Sequence, residues 1–154
     1  MKQLITIQVN GDAHEVAVEP AATLLHVLRE ELELVGPKRG CDGGGCGCCT
    51  VLLDGRVVYS CMTYVASVGA RAVTTVEGLS ANGKLDPLQE AFVTAGAVQC
   101  GYCTSGMIMA AKQLLSETPV PDEEQIRHAL VGNLCRCTGY QKIVDAVQLA
   151  AASH

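Results

Sequence analysis

The sequence predicts an α+β fold in which a mixed sheet covered by one helix is followed by a small bundle of four helices. Short segments within the first 76 residues alternate apolar and polar residues, as strands do. After residue 86, apolar residues recur at every third or fourth position, as in helices. Between these parts, residues 78–83 read Gly-Leu-Ser-Ala-Asn-Gly, which has the composition of a linker. We therefore expect two domains, residues 1–78 and residues 84–154.

The first domain is expected to contain five strands and one helix. Asn10-Gly11 and Asp54-Gly55 favour the positive φ angles of tight turns, so each dipeptide predicts a hairpin between the strands that flank it. Thr23 is a suitable N-cap for the helix. The apolar residues of that helix fall on one face, at positions 24, 27, 28 and 32. The strands are predicted at residues 5–9, 16–18, 50–53, 56–59 and 72–76.

The second domain is expected to contain four helices. Asp86 and Asp122 are each followed three residues later by a glutamine, the arrangement of a capping box at a helix start. The segment Thr118-Pro119-Val120-Pro121 ends the second of these helices, because proline cannot continue it. The helices are predicted at about residues 86–95, 104–115, 122–130 and 143–150.

The composition excludes several classes of function. The chain has 154 residues and a formal net charge of −5, and its basic residues form no cluster, which argues against nucleic-acid binding. No apolar stretch approaches the roughly 18 residues that a membrane span needs. Residues 4–8 alternate apolar and polar side chains, unlike the continuous apolar block of a signal peptide. We therefore expect a cytoplasmic protein, in which nine reduced cysteines are available to metals.

Four cysteines of the first domain have the spacing of a metal cluster. Cys41, Cys46 and Cys49 form the pattern C-x4-C-x2-C, and Cys61 follows after eleven residues, which is the spacing of plant-type [2Fe-2S] clusters. The glycines at positions 43, 44, 45 and 47 suit a tight wrap, because glycine freely adopts left-handed φ angles. Their backbone amides could then point at the sulfurs. We predict a [2Fe-2S] cluster here.

Four more cysteines form two pairs in the second domain. Cys100 pairs with Cys103 and Cys135 with Cys137, and each pair lies at the start of a predicted helix. Helix N-termini attract anionic groups, so these thiolates could hold either a [2Fe-2S] cluster or zinc. Spacing alone leaves both metals open. Buried apolar thiols or disulfides are a third interpretation of either set, which a reducing compartment and glycine-rich turns disfavour.

Three blocks of sequence surround these cysteines. They are Cys-Asp-Gly-Gly-Gly-Cys-Gly-Cys-Cys-Thr-Val at 41–51, Gln-Cys-Gly-Tyr-Cys-Thr-Ser-Gly-Met at 99–107 and Gly-Asn-Leu-Cys-Arg-Cys-Thr-Gly-Tyr at 132–140. Together they resemble the iron-sulfur subunit of the molybdenum hydroxylases, the xanthine oxidase family, and the resemblance spans essentially the whole chain. It implies an N-terminal ferredoxin-like β-grasp domain and a C-terminal helical domain with one [2Fe-2S] cluster each, and it favours iron over zinc in the second set.

The resemblance also implies a role and partners. The chain would be the non-catalytic electron-transfer subunit of a molybdenum-containing oxidoreductase, with no substrate site of its own. It would relay electrons between molybdopterin, on a large subunit, and FAD, on a medium subunit, in a dimer of heterotrimers. Gln99 and Cys137 are the residues expected near the molybdopterin, and a turn cap is the other interpretation of Gln99. The substrate and the direction of electron flow are properties of the partners.

Two residues depart from the family pattern. Cys48 stands where an alanine is usual, and Ser105 stands where a proline is usual. We interpret Cys48 as a small side chain outside the ligand set, because adjacent side chains usually point apart. A redox-active thiol and an alternative ligand are the competing interpretations of Cys48. Ser105 is expected to make its turn less stiff, since proline fixes its own φ angle.

Two other functions are compatible with these cysteines. One is a free-standing metal protein that acts as a sensor, and the other is a ferredoxin that acts alone. The helical domain counts against the ferredoxin, because simple plant-type ferredoxins lack it. Isolation of a stable chain without molybdenum or flavin partners would favour the sensor.

Overall fold

The computed structural model describes residues 1–153, so His154, the last residue of the expected second domain, lies outside the described residues. One mixed sheet has the strand order β2-β1-β5-β3-β4, in which β1 and β5 are parallel and the other neighbours are antiparallel. The strands are β1 (Gln3–Val9), β2 (Asp12–Val18), β3 (Thr50–Leu53), β4 (Arg56–Tyr59) and β5 (Ala72–Thr74). The helices are α1 (Leu24–His26), α2 (Pro87–Thr94), α3 (Thr104–Glu117), α4 (Glu123–Ala129) and α5 (Gln141–Ala151). The predicted α+β class is confirmed.

Both predicted hairpins are present. Asn10-Gly11 joins β1 to β2 with φ angles of 54° and 94°, and Asp54-Gly55 joins β3 to β4 with angles of 49° and 78°. The second hairpin is short, and Thr50 at its start faces Tyr59 at its end. The segments just outside this hairpin, around positions 49 and 61, are therefore close in space.

The first helix begins as predicted but is wider than an α-helix in its second turn. Thr23 Oγ1 accepts a hydrogen bond from the His26 N–H at 3.2 Å, which caps α1. The chain then continues as a π turn over Val27–Glu31, in which the Leu32 N–H donates to the Val27 carbonyl at 3.1 Å. The apolar face of this helix packs into the core that the sheet covers.

The last strand is shorter than predicted. β5 ends at Thr74, so the prediction of a strand through residue 76 was wrong by two residues. Thr75 leaves the sheet because its N–H donates to Oδ1 of Asn10 at 2.9 Å, and Val76–Leu79 then forms a 3-10 turn. The chain therefore turns toward the helical part before the predicted linker begins.

The four later helices lie close to the predicted positions. Asp86 Oδ1 accepts from the Leu88 N–H at 3.0 Å, while the Asp86 N–H donates to Gln89 Oε1 at 2.9 Å. The same reciprocal pair joins Asp122 and Gln125 at the start of α4. Both predicted capping boxes are thus present.

The described chain has two hydrophobic cores. The first lies between the sheet and α1, and the second lies among α2, α3, α4 and α5. Large, fully buried members of the first core include Ile7, Leu24 and Leu28, and those of the second include Leu88, Phe92, Met107, Ile126 and Ile143. No helix within residues 1–153 has the length and apolar character needed to cross a membrane.

Candidate metal centres

The first set of thiols is held by the loop between α1 and β3 and by a short turn after β4. Cys41, Cys46 and Cys49 lie on the loop, and Cys61 lies in the 3-10 turn Ser60–Met62. The Ser60 N–H and Oγ both donate to the Cys49 carbonyl, at 3.3 and 2.7 Å. The β3–β4 hairpin thus returns Cys61 to the loop, and the structure brings all four of these cysteines to one place.

Backbone amides surround Cys41. A hydrogen bond from the Gly43 N–H, contact with the Cys46 thiol and bonds from the N–H groups of Cys46 and Gly45 lower the pKa of Cys41 to about 7. These donors stabilise a thiolate, which is the form that binds metal. The loop therefore provides the amide donors that the glycine-rich sequence predicts.

The glycines of this loop differ in what they contribute. Gly44 and Gly47 have positive φ angles of 69° and 70°, but Gly43 and Gly45 do not, so two of the four glycines use the left-handed angles that glycine allows. The loop needs only two reversals of direction. Gly43 and Gly45 act through their N–H groups, and a Cβ at either position would meet nothing within 4 Å.

The thiols of the first set come together in two pairs. Cys41 lies beside Cys46, and Cys49 lies beside Cys61, while Cys48 also lies beside Cys46. Burial, with the Cys49 thiol beside it, raises the pKa of Cys61 to about 11. Within residues 1–153, no three His, Cys, Asp or Glu side chains surround one point as the ligands of a single metal ion would. Two pairs suit a [2Fe-2S] cluster, which takes two protein ligands on each of its irons.

The second set lies at the start of α3 and in the loop before α5. Cys103 is the N-cap residue of α3, and Cys100 lies in the segment just before it. The thiols again form two pairs, Cys103 with Cys135 and Cys100 with Cys137. A tetrahedral zinc site would need all four around one ion. The donor set, which is sulfur alone in two pairs, fits a two-iron cluster.

The two pairs of the second set have different surroundings. Cys103 and Cys135 pack against the second core, and burial raises the pKa of Cys103 to about 12, with the Cys135 thiol acting in the same direction. Burial by itself also favours a higher pKa for Cys135. There, however, the Thr138 hydroxyl at 3.0 Å and the Thr138 N–H at 3.4 Å stabilise the thiolate, and the pKa of Cys135 is lowered overall. Cys100 and Cys137 are exposed, so this set has one open side.

Gln99 directly precedes Cys100, one of the two exposed thiols. It is exposed, as are the neighbouring Tyr102 and Leu134. No hydrogen bond joins the Gln99 side chain to another residue between positions 1 and 153, so a turn cap has no contact to support it in that part of the chain. The Gln99 side chain and the Cys137 thiol are thus both exposed.

Cys48 lies between the two sets, a position that sequence reasoning did not foresee. A cavity of about 510 Å³ is lined by Cys46 and Cys48 from the first loop and by all four cysteines of the second set. A Cβ on Gly40 would lie 3.0 Å from Sγ of Cys46 and 3.2 Å from Sγ of Cys48, so both sulfurs pack on the same backbone. Cys48 is only 5% exposed.

Sequence reasoning also missed Asn133, which joins the two cysteine-bearing loops. Asn133 is buried, and its Nδ2 donates to the Gly47 carbonyl at 2.9 Å. The block at 132–140 contains this residue, but a contact across 86 positions leaves no local pattern. The only sequence feature that could have indicated its role is an asparagine inside a cysteine motif with no turn or helix cap to explain it. Such a polar side chain, if buried, needs a hydrogen-bond partner.

Comparison with protein families assigns both parts of the chain to iron-sulfur proteins. Residues 7–72 match the 2Fe-2S iron-sulfur cluster binding domain, and residues 75–148 match a [2Fe-2S] binding domain. Each match contains one complete set of four cysteines. Two [2Fe-2S]-binding domains are therefore present.

Curated relatives are small or iron-sulfur subunits by name. The chain is 51% identical over 143 residues to the nicotine 6-hydroxylase small subunit of Paenarthrobacter nicotinovorans, covering 93% of this chain and 86% of that protein. It is 46% identical over 149 residues to the nicotinate dehydrogenase small FeS subunit of Eubacterium barkeri, covering 97% and 95%. It is 39% identical over 162 residues to the aldehyde oxidoreductase iron-sulfur-binding subunit of Escherichia coli, covering 96% and 71%.

Solved structures share the fold. Quinoline 2-oxidoreductase from Pseudomonas putida 86 contains a chain that superposes with a TM-score of 0.95 at 42% identity, covering 99% of this chain and 95% of that one. The aldehyde oxidoreductase from Desulfovibrio desulfuricans matches with a TM-score of 0.94 at 46% identity, covering 98% of this chain but 17% of that one. In that enzyme the same fold is one part of a much longer polypeptide.

Proposed function

The chain belongs to the iron-sulfur subunits of the molybdenum hydroxylase family, and from this membership we propose that it relays electrons between the molybdopterin and the FAD of its partner subunits. Relatives of this kind are parts of oxidoreductases whose catalytic site is on another subunit. The proposal adds the two partner cofactors and the relay between them.

The paired thiols carry this proposal. Cys41 with Cys46, Cys49 with Cys61, Cys103 with Cys135 and Cys100 with Cys137 are the four pairs, and we propose these eight residues as the ligands. When bound, a [2Fe-2S] cluster accepts and releases one electron at a time. The protein supplies the thiolates, the amides that stabilise them and the spacing between the two sets.

We propose that each cluster has a domain of its own. The first, residues 1–78, would be a ferredoxin-like β-grasp domain, and the second, residues 84–154, a four-helix bundle domain. Two separate cores support this division, because each core is built from one part of the chain. The two family matches, which meet between residues 72 and 75, are consistent with it.

The proposed partners are a large molybdopterin subunit together with a medium FAD subunit, in a dimer of heterotrimers. Relatives are named as the small subunit of a nicotine hydroxylase and the iron-sulfur-binding subunit of an aldehyde oxidoreductase, so similar chains serve different substrates. We infer that the substrate is selected by the partner. We also propose a cytoplasmic location, since eight cysteines with the spacing of cluster ligands suit a compartment that keeps thiols reduced.

The proposed orientation directs the second set toward molybdopterin and the first set toward FAD. Gln99 and Cys137 are the residues that would meet the pterin. The exposure of both residues, and the position of Gln99 next to Cys100, support this assignment. A glutamine amide can both donate to and accept from the edge of a heterocycle.

The test is purification of the native assembly under anaerobic conditions. We expect a large and a medium subunit to co-purify with molybdenum and flavin, and about four iron atoms per chain with two distinguishable EPR signals on reduction. Stoichiometric zinc, or a colourless chain, would contradict the proposed clusters. A stable, iron-loaded chain that never associates with molybdenum or flavin partners would contradict the relay and favour a sensor.

A further inference from the structure

The loops that carry the two sets of thiols are joined by their backbones. The Leu134 N–H donates to the Cys46 carbonyl at 2.9 Å. Cys46 belongs to the first set, and Leu134 immediately precedes Cys135 of the second. A ligand of one proposed cluster and the neighbour of a ligand of the other are thus connected by a single hydrogen bond.

Asn133 reinforces this junction from a buried position. It is 4% exposed, and its Nδ2 donates to the Gly47 carbonyl at 2.9 Å and lies 3.2 Å from Thr50 Oγ1. Thr50 Oγ1 in turn donates to the same Gly47 carbonyl at 2.7 Å. The amide therefore holds the residue that follows Cys46 in the chain. Because the site is buried, water does not replace this bond without cost.

The junction is too tight for side chains at three glycines. A Cβ on Gly47 would lie 2.4 Å from the Gly132 carbonyl oxygen, and one on Gly106 would lie 2.2 Å from the Gly47 carbonyl oxygen. A Cβ on Gly132 would lie 2.1 Å from the hydroxyl of Tyr59, which donates to the Gly132 carbonyl at 2.9 Å. Backbone here packs directly on backbone, so a small displacement of Asn133 would be passed on to both loops.

We propose that Asn133 is a positioning residue that fixes the separation of the two [2Fe-2S] clusters by clamping the Cys46–Gly47 backbone to the Leu134–Cys135 backbone. The inference rests on the proposed function, because it assumes that both sets hold clusters. It goes beyond that function in assigning the spacing between the clusters to one buried amide. Asn133 belongs to the loop of the second set, and the carbonyl it binds belongs to the loop of the first set. The distance between the clusters can therefore change without any change of ligand.

The decisive variant is Asn133→Asp in the full, iron-loaded chain. Aspartate has nearly the shape of asparagine, but in its ionised form it has no donor for the Gly47 carbonyl. Because burial favours the protonated acid, which can donate, the variant is measured above the pH at which the introduced carboxyl titrates. We expect iron content and the g values of each reduced cluster to be retained. The magnetic splitting that appears when both clusters are reduced should shrink, because dipolar coupling falls with the cube of the separation. Unchanged splitting with both clusters loaded would overturn the proposal.

Asn10→Asp is the matched control. Asn10 makes a comparable pair of bonds with Thr75, at 3.0 and 2.9 Å, but it contacts neither cysteine loop. This variant should lose stability without any change in the magnetic splitting. If the splitting changed equally in both variants, the cause would be a general loss of stability. That outcome would overturn the proposal.

A second measurement does not depend on whether Asn133→Asp keeps its clusters. Hydrogen exchange of the Leu134 amide reports the clamp directly, because that amide is the donor to Cys46. It should be protected in the unmodified chain and should exchange about fivefold faster in Asn133→Ala, the effect of losing roughly 1 kcal/mol of hydrogen bonding. An unprotected Leu134 amide in the unmodified chain would overturn the proposal. Failure of the proposed function would instead be seen as a chain that contains no iron.

Discussion

At the scale of single residues, Cys48 is a ninth thiol beside the eight proposed ligands, and we expect that it does not bind metal. Both sets of four are complete without it, and each thiol in them has a partner thiol. Burial, followed by the neighbouring Cys46 thiol, raises the pKa of Cys48 to about 12. This raised pKa does not separate Cys48 from the proposed ligands, because burial raises the pKa of Cys61 and Cys103 as well. What separates it is that the other eight cysteines complete both sets.

Cys48→Ala is therefore expected to leave cluster assembly intact. The removed sulfur is a packing group, and alanine fills most of the same space. Iron per chain and both EPR signals should match those of the unmodified protein. Cys49→Ala is the control, since it removes one of the proposed ligands and should abolish one signal. Loss of a cluster in Cys48→Ala would show that the ligand set is misassigned.

Gln99→Ala tests the orientation of the subunit in its assembly. The side chain is exposed and holds no other described residue, so both clusters should be retained. Rapid mixing of the assembled complex with substrate should show slower reduction of the second cluster, because the variant lacks the amide that we propose contacts the pterin. Reduction from the flavin side should be unchanged. A normal rate from substrate, or a defect on the flavin side alone, would refute the orientation.

Functional residues could be predicted where the sequence pattern that marks them lies within a short segment of the chain. The spacing of Cys41, Cys46 and Cys49 is local, and the structure brings these thiols together with Cys61. The roles of Gly47 and Asn133 depend on each other across 86 positions, so no window of sequence contains both. The same holds for Cys48, whose position between the sets exists only once the two loops meet.

At the scale of elements, a side-chain hydrogen bond from Ser105 holds the start of α3, where a proline would restrict the backbone. Ser105 stands where proline is usual, and its Oγ donates to the Gly36 carbonyl at 2.6 Å. The residue is 7% exposed. The bond ties the helix that carries Cys103 to the loop that leads to Cys41. A less constrained turn, the expectation from sequence, is thus compensated by a tertiary contact.

Ser105→Ala should lower the free energy of unfolding by about 1 kcal/mol, with both clusters retained. The half-buried Gly36 carbonyl loses its donor at 2.6 Å and keeps only the long contact with Lys38 Nζ at 3.5 Å, and no ligand is altered. Thermal unfolding of the iron-loaded chain gives the measurement. Ser116→Ala is the matched control, because its hydroxyl is exposed and bonds within α3, to the Gln113 carbonyl at 2.7 Å. Equal, negligible losses in the two variants would show that the contact contributes nothing.

Helices and strands could be predicted where residues at their ends form a recognisable cap or turn. The capping boxes at Asp86 and Asp122 locate α2 and α4, and the two turn dipeptides locate both hairpins. The end of β5 was not predictable, because it depends on a contact between Thr75 and Asn10, which is 65 positions away. The π turn after α1 was missed for a related reason, since its apolar spacing also fits an α-helix.

At the scale of the whole molecule, the second core is built from a short stretch of chain and has thiols of the second set packed against it. Residues 84–154 comprise 71 residues with one Phe and two Tyr. Cores in domains of this size rarely supply more than about 3–5 kcal/mol. Cys103 and Cys135 pack against that core, 32 positions apart in the chain. Metal bound to the second set would join α3 to the loop before α5 and act as a cross-link.

Loss of the second cluster alone is therefore expected to destabilise the helices. A cross-link closing a loop of this length contributes about 4 kcal/mol, which corresponds to a fall of about 15 °C or more in the unfolding temperature of a small domain. The measurement is circular dichroism at the helical band during heating of the full chain with Cys100→Ser and Cys103→Ser. Cys41→Ser, which removes only the first cluster, is the control, and its helical transition should fall less, since the second core keeps its metal. Full helical content and an unchanged transition in the double variant would mean that the apolar core of α2 to α5 suffices by itself.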